Sequence, residues 1–315
     1  MRDLFSLGLS ESEITEAVIL YPKILGFSVE HKLKPAVQWL SDLGLSEHQI
    51  IGAATSPCIL SLSIEENLKP TVQWLLDLGL TKSQVCKAVA TFPQFLGYSI
   101  EQNLKPTVQW LLKLGLTKGQ AAKTVATFPQ FLGLSIEENL KPTVRWLLVV
   151  GLTRHQAAKV VATFPQVLGL IIEVNLKPTV QWLLDLGLTE SQTAKVVAVH
   201  PTILGYSIEN NLEPTVGWFV QYGVGQCKFA SLISSWPRFL GYSISNNLEP
   251  KALLLETLFE RNGARDSISN NPEILRFSYQ RMAARLSILS KLGEPSRANY
   301  AMNLPDDKFQ KRFML

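Results

Sequence analysis

Lysine recurs in this chain at fixed spacing. Lys34, Lys69, Lys105, Lys141 and Lys177 each stand directly before a proline. The segment around them reads NLKPTVQWLL at 67–76, 103–112 and 175–184, and NLKPTVRWLL at 139–148. If that proline opens a helix, the ammonium faces the positive end of the helix dipole, a mismatch of roughly 0.3–1 kcal/mol when exposed. A phosphate at each helix start would reverse the sign, because free N–H groups, dipole and ammonium all favour it. The position turns acidic at Glu213 and Glu249. A second set, Lys87, Lys123, Lys159 and Lys195, recurs in phase over four repeats, with Lys82, Lys118 and Arg154 nearby. Helices stacked ~8–10 Å apart would spread five such lysines over ~40 Å. That length matches on the order of a dozen base pairs at ~3.4 Å each. The chemistry on offer is electrostatic: in-register cations that hold a polyanion by its backbone.

A third group lies near the C-terminus. Arg276, Arg281, Arg285, Lys291 and Arg297 line a helical stretch, with Lys308, Lys311 and Arg312 beyond. Arg281 and Arg285 are four apart and share a helix face, so both are candidate phosphate contacts, and a solvated capping repeat explains them equally well. For the columns too a plain alternative exists. Near-identical repeats copy any surface lysine into a column, and Glu65, Glu66, Glu101, Glu137, Glu138, Glu173 and Glu209 could pair with either one.

Other chemistries find little to work with. His31, His48, His155 and His200 fall at different repeat phases, and none has a cysteine or carboxylate at ligand or triad spacing. No glycine-rich phosphate loop follows a strand. An enzyme, a metal, a cofactor and a small-molecule substrate are therefore not expected. Cys58, Cys86 and Cys227 show no paired spacing, which suggests buried thiols in a reducing compartment. With 46% apolar and 18% charged residues the chain is expected to fold, and no apolar run reaches the ~18 residues of a membrane span. The opening MRDLFSLGLSESEI holds no signal segment or Arg/Ser-rich leader and enters partway through a repeat. A truncated N-terminus is thus an expectation, and the absent leader says little about location. Net charge is +4, yet residues 1–250 carry 19 Lys+Arg against 19 Asp+Glu, and residues 251–315 carry 11 against 7. Overall basicity cannot carry a nucleic-acid case here; the placement of the charges must.

The elements that position these lysines are set by a period of 35 or 36 residues. One proline family runs Pro22, Pro57, Pro93, Pro129, Pro165, Pro201, Pro237, Pro272; the lysine-linked family runs from Pro35 to Pro250. Tryptophan follows the second family at plus four, from Trp39 to Trp218, and glycine recurs from Gly44 to Gly223. Such a period means stacked supersecondary units. In each unit the proline starts a helix A that a glycine ends. A Ser/Thr-x-x-Gln/Glu pair then caps a helix B: Ser10/Glu13, Ser46/Gln49, Thr81/Gln84, Thr117/Gln120, Thr153/Gln156, Thr189/Gln192. The Phe-Pro pairs stop helix B, and GLSIEENL supplies a capped single turn back to the next helix A. The tryptophans are expected to pack between repeats. The expected fold is all-α: a curved, right- or left-handed α-solenoid superhelix of about seven 36-residue repeats, two antiparallel helices plus a short 3-10 turn each. Residues 1–250 would form the array, and 251–315 the last repeat with a basic C-terminal cap.

Leu-Gly, a capped helix, then FPQFLGYSIEQNLKPTVQWL resembles the repeat of the mitochondrial transcription termination factor (mTERF) family. The stretch NNPEILRFSYQRMAARLSILSKLG followed by LPDDKFQKRF resembles the way those proteins close their last repeat. The resemblance implies a curved solenoid that binds nucleic acid, duplex DNA ahead of RNA, in mitochondria or plastids; the chain is expected to be a monomer. It also implies a role in transcription termination, other transcriptional control or RNA processing. The competing reading is a protein-binding scaffold whose lysines are merely solvated. If the first column holds phosphate, changing Lys69, Lys105 and Lys141 together to Glu should abolish binding and leave stability intact or slightly improved.

Overall fold

The computed structural model describes residues 26–54, 62–293 and 297–314, with positions 12, 15, 18, 19, 22 and 59. Pro57, Cys58 and the Ser10/Glu13 pair lie outside the described residues. Among the described residues every regular element is helical and there is no strand. The chain is an all-α solenoid of repeats that divides into two units, residues 1–169 and 170–315. In the first unit A and B helices alternate: α1 (Lys34–Leu43), α2 (Glu47–Ala54), α3 (Lys69–Leu78), α4 (Lys82–Thr91), α5 (Lys105–Leu114), α6 (Lys118–Thr127), α7 (Lys141–Val149) and α8 (Arg154–Thr163). The second unit continues with α9 (Lys177–Asp185), α10 (Glu190–Val199), α11 (Glu213–Gln221) and α12 (Phe229–Ser235). It ends with α13 (Glu249–Asn270), α14 (Tyr279–Lys291), α15 (Ala298–Asn303) and α16 (Asp306–Phe313).

The punctuation behaves as its chemistry demands. Gly79 takes φ 112° after α3, so that its own N–H reaches Leu76 and that of Leu80 reaches Leu75, closing the orphan carbonyls. In α4, α6, α8 and α10 the N-cap threonine accepts the N–H of a glutamine whose side chain accepts the threonine N–H in return. Ser46 and Gln49 make the same exchange at α2. Helix α6 stops at Thr127 before Phe128, and Pro129–Gly133 forms a 3-10 turn. That turn drives Phe131 and Leu132 into a core shared with Leu111 of α5 and Val125 of α6. Each such side chain contributes about 1.5–3 kcal/mol by leaving water.

The start of helix A differs from the sequence expectation. It lies not at the proline but seven residues earlier, at a serine. Ser63 accepts the N–H of Glu66, and Ile64–Leu68 forms a π-turn that runs directly into α3. Leu68 donates to Ser63 and Lys69 to Ile64, each five residues back. Pro70 comes next and has no N–H to give. The wider turn lets the chain pass through the proline without its ring striking the preceding turn. Ser28, Ser99, Ser135, Ser207 and Ser243 cap the same arrangement; at Ile171 the side-chain bond is absent. The proline column is thus internal to a helix, and the positive end of the dipole lies at the serine.

Successive repeats also lock through their 3-10 turns. A Cβ on Gly133 would lie 3.0 Å from the Tyr98 hydroxyl, one on Gly169 2.8 Å from Phe128, and one on Gly241 2.2 Å from the Tyr206 hydroxyl. Glycine is required there because an aromatic ring of the preceding repeat occupies the space. In the second unit His200 takes the place that Phe92, Phe128 and Phe164 hold elsewhere. Its ring lies 3.2 Å from the Thr202 hydroxyl and tilts against Tyr206. Burial, and then the Arg238 guanidinium, hold its pKa below the ordinary 6.5. The unfolded chain therefore binds more protons between that lowered value and 6.5, and stability rises with pH through this window. Melting temperature should climb more steeply from pH 5 to 7.5 in the natural chain than in His200→Phe, as calorimetry at both ends of the range would show.

Two expectations about side chains need adjusting. Trp39, Trp74, Trp110, Trp146 and Trp182 are half-buried, and of this column only Trp218 is buried. The Trp218 indole N–H donates to Glu249 at 2.8 Å, which gives the acidic version of the lysine position a structural task. Cys86 is half-buried with its Sγ 3.1 Å from the Leu43 carbonyl, but Cys227 is exposed rather than buried. It lies within the 3-10 turn Gln226–Lys228 that leads into α12, where Gly225 stands in place of the threonine cap.

Candidate nucleic-acid interface

The first lysine column is occupied. Lys34, Lys69 and Lys177 pair at 2.5–2.6 Å with Glu30, Glu65 and Glu173, and Lys105 and Lys141 pair with Glu101 and Glu137 in the same way. Each pair spans four residues of one continuous helix, glutamate on the N-terminal side, the better orientation. The acidic partner lies in the first turn, where the dipole favours it, and the lysine lies beyond that turn. The expected dipole mismatch is therefore absent, and the column explains itself without a ligand. Replacing Lys69, Lys105 and Lys141 by Glu should destabilise by about 2 kcal/mol, since three pairs are lost and three like-charge contacts at ~0.3 kcal/mol or more each are made. That is opposite in sign to the expectation from sequence. A lower melting temperature in that triple variant checks it.

The second column stands differently. Lys87, Lys123 and Lys159 in the first unit, and Lys195 in the second, are exposed, and no carboxylate of the described residues lies within 4 Å of their ammonium groups. Helices α4, α6 and α8 pack side by side and carry Lys82, Lys87, Lys118, Lys123, Arg154 and Lys159 without a single Asp or Glu. Of these, Lys82 and Arg154 reach back to the Asp42 and Lys113 carbonyls, capping the A helix of the preceding repeat. The carboxylates of the first unit's inner repeats sit on the A side: Glu65, Glu66, Asp77, Glu101, Glu137 and Glu138. Electroneutrality along the chain thus conceals segregation by layer. Sorting the charges by repeat phase would have exposed it in the sequence.

Arg281 and Arg285, both expected as phosphate contacts, face inward. Arg285 is 4% exposed; its Nη1 donates to the carbonyls of Ala301 at 2.5 Å and Leu304 at 2.7 Å, its Nη2 pairs with Asp306, and it lies over the Phe309 ring. Arg281 donates to Leu304 at 2.7 Å and faces Asp306 at 3.7 Å. Arg297 and Arg312 lie over Phe313 and Tyr300. The basic C-terminus closes the last repeat by capping the end of α15, and Arg285 is withdrawn from any ligand by burial.

The mTERF family model matches residues 1–222 and, in an overlapping second alignment, residues 108–298. The chain belongs to the mTERF family. This is a family of helical-repeat proteins that bind nucleic acid, generally organellar and without enzymatic activity. No curated protein matches the chain. Among the described residues no group of three or more His, Cys, Asp or Glu is placed to hold a metal, and no helix is long and apolar enough to cross a membrane. The mTERF repeat in this chain therefore presents one lysine column already neutralised and one open, on separate helical layers.

Proposed function

We propose that the chain is an organellar nucleic-acid-binding protein, of mitochondria or plastids, that acts as a monomer in transcriptional control, termination included. It takes duplex DNA ahead of RNA. The backbone phosphates lie along the acid-free B layer of the first unit, against Lys87, Lys123 and Lys159, with Lys195 repeating the position in the second unit. The observation that supports this is the lack of any carboxylate on α4, α6 and α8, while the neighbouring lysine column is fully paired. Ammonium groups without partners contribute little to folding, yet each can displace a counterion from a phosphate. The contacts are to backbone and so tolerate sequence.

Salt separates this reading from a protein scaffold with solvated lysines. Three phosphate contacts predict a slope of about −2.7 in log affinity against log salt, at ~0.9 per phosphate. Fluorescence anisotropy with a labelled duplex from 50 to 300 mM salt measures it. Absence of binding to both duplex DNA and RNA at 50 mM salt refutes the proposal.

A further inference from the structure

The A layer holds a feature that copying of repeats does not explain. In α1, α3 and α9 a glutamine side chain donates to an aspartate four residues on: Gln38 to Asp42, Gln73 to Asp77 and Gln181 to Asp185, at 2.8–2.9 Å. In two adjacent repeats a cation takes the place of one member of the pair. Lys113 stands where the aspartate belongs in α5, and Arg145 stands where the glutamine belongs in α7. The fold brings both to one groove between α5 and α7, a cavity of about 270 Å³ floored by Trp110, Val144 and Leu148. Lys141 and Arg154 complete a rim of four cations, and no carboxylate lines it. The matching groove between α1 and α3 keeps Asp42 and Gln73.

Lys113 and Arg145 are exposed and make no side-chain hydrogen bond or ion pair among the described residues, whereas Lys141 is held by Glu137 and Arg154 by the Lys113 carbonyl. The helix dipole welcomes Lys113 in the last turn of α5, but nothing local recommends Arg145 in the middle of α7. In the floor of the groove Leu148 is 41% exposed. A phosphate backbone gains nothing by covering this floor of Trp110, Val144 and Leu148. A peptide's apolar stripe gains about 25 cal/mol for each Å² of apolar surface it removes from water.

We infer that this groove docks an acidic amphipathic helix of a partner protein. Its apolar residues, three and four apart, would lie over Trp110, Val144 and Leu148, and its carboxylates would meet Lys113 and Arg145. Helices α5 and α7 of 10 and 9 residues give a groove about 15 Å long at 1.5 Å per residue, enough for two to three turns of occupant. The site lies on the A layer, so it is separate from the B-layer lysines and does not rest on the nucleic-acid reading.

The test restores the sister-repeat residues, Lys113→Asp with Arg145→Gln, a pair the fold already accepts at these positions. A phage-displayed library of random 14-residue peptides is selected on the natural chain and counter-selected on the double variant. Enriched peptides should be net negative with apolar residues at helical spacing. The best of them, made synthetically, should bind the natural chain at least 10-fold more tightly than either the double variant or its own scrambled sequence. Duplex DNA and RNA affinity should stay within twofold in the double variant. Enrichment without that pattern, no enrichment, or equal binding of the scrambled peptide overturns the inference. So does a loss of nucleic-acid affinity in the double variant with DNA or RNA displacing the peptide, which would assign the groove to nucleic acid instead.

Discussion

Changing Lys87, Lys123 and Lys159 together to Glu should lower affinity for duplex DNA on the order of 10³-fold at 0.1 M salt. Each lost phosphate contact forfeits the release of about 0.9 counterion, close to tenfold at that salt, and the new carboxylates repel the backbone. The log–log salt slope should flatten by about one unit per contact removed. Folding should be untouched, because none of the three side chains has a partner to lose. The paired column gives the matched control: Lys69, Lys105 and Lys141 changed to Glu should cost stability and leave the salt slope near its starting value. Anisotropy and thermal melts on both triple variants separate the two columns. The reverse outcome, binding lost only through the paired column, would move the interface to the A layer.

Arg285→Met should be the most damaging single change near the C-terminus, at about 3 kcal/mol, the scale of losing several charge-assisted hydrogen bonds from a buried group. The guanidinium fork satisfies the carbonyls of Ala301 and Leu304 and holds Asp306 at once. Arg285→Lys should recover less than half, since one ammonium cannot reproduce a planar fork. Amide exchange should speed up first at the end of α15 and in α16, where the guanidinium holds the Ala301 and Leu304 carbonyls and Asp306. Nucleic-acid affinity of the folded variant should be unchanged. A loss of affinity without a loss of protection would restore Arg285 as a phosphate contact.

Most of the repeat is legible because its signals are local. Threonine and glutamine three apart cap their own helix, and a glycine after the last turn ends it, whatever surrounds them. The start of helix A misleads for a physical reason. Proline is most often a first-turn residue, so Pro70 suggests a break between Glu65 and Lys69. Once the π-turn carries the helix through Pro70, Glu65 and Lys69 become neighbours on one face, and what looked like a free cation is half of an ion pair. Arg285 carried a readable clue. It falls in register with Met282, Leu286 and Leu289, the buried stripe of α14. Layer-level charge segregation needed no coordinates, only charges sorted by phase. The α5/α7 groove did need them, because Lys113 and Arg145 are 32 positions apart and converge only when successive A helices stand side by side.

Near-duplicate modules expose a chain to a particular error during folding: a module can dock one place too far along and still find familiar surfaces. The glycine seats oppose that slip. Gly133 and Gly241 receive tyrosines, Tyr98 and Tyr206, whereas Gly169 receives Phe128, so the junctions do not all take the same guest. A misplaced module would bring the wrong ring, or none, and leave a clash or a void. Where neighbouring seats take different rings, they favour the native neighbour over a displaced one.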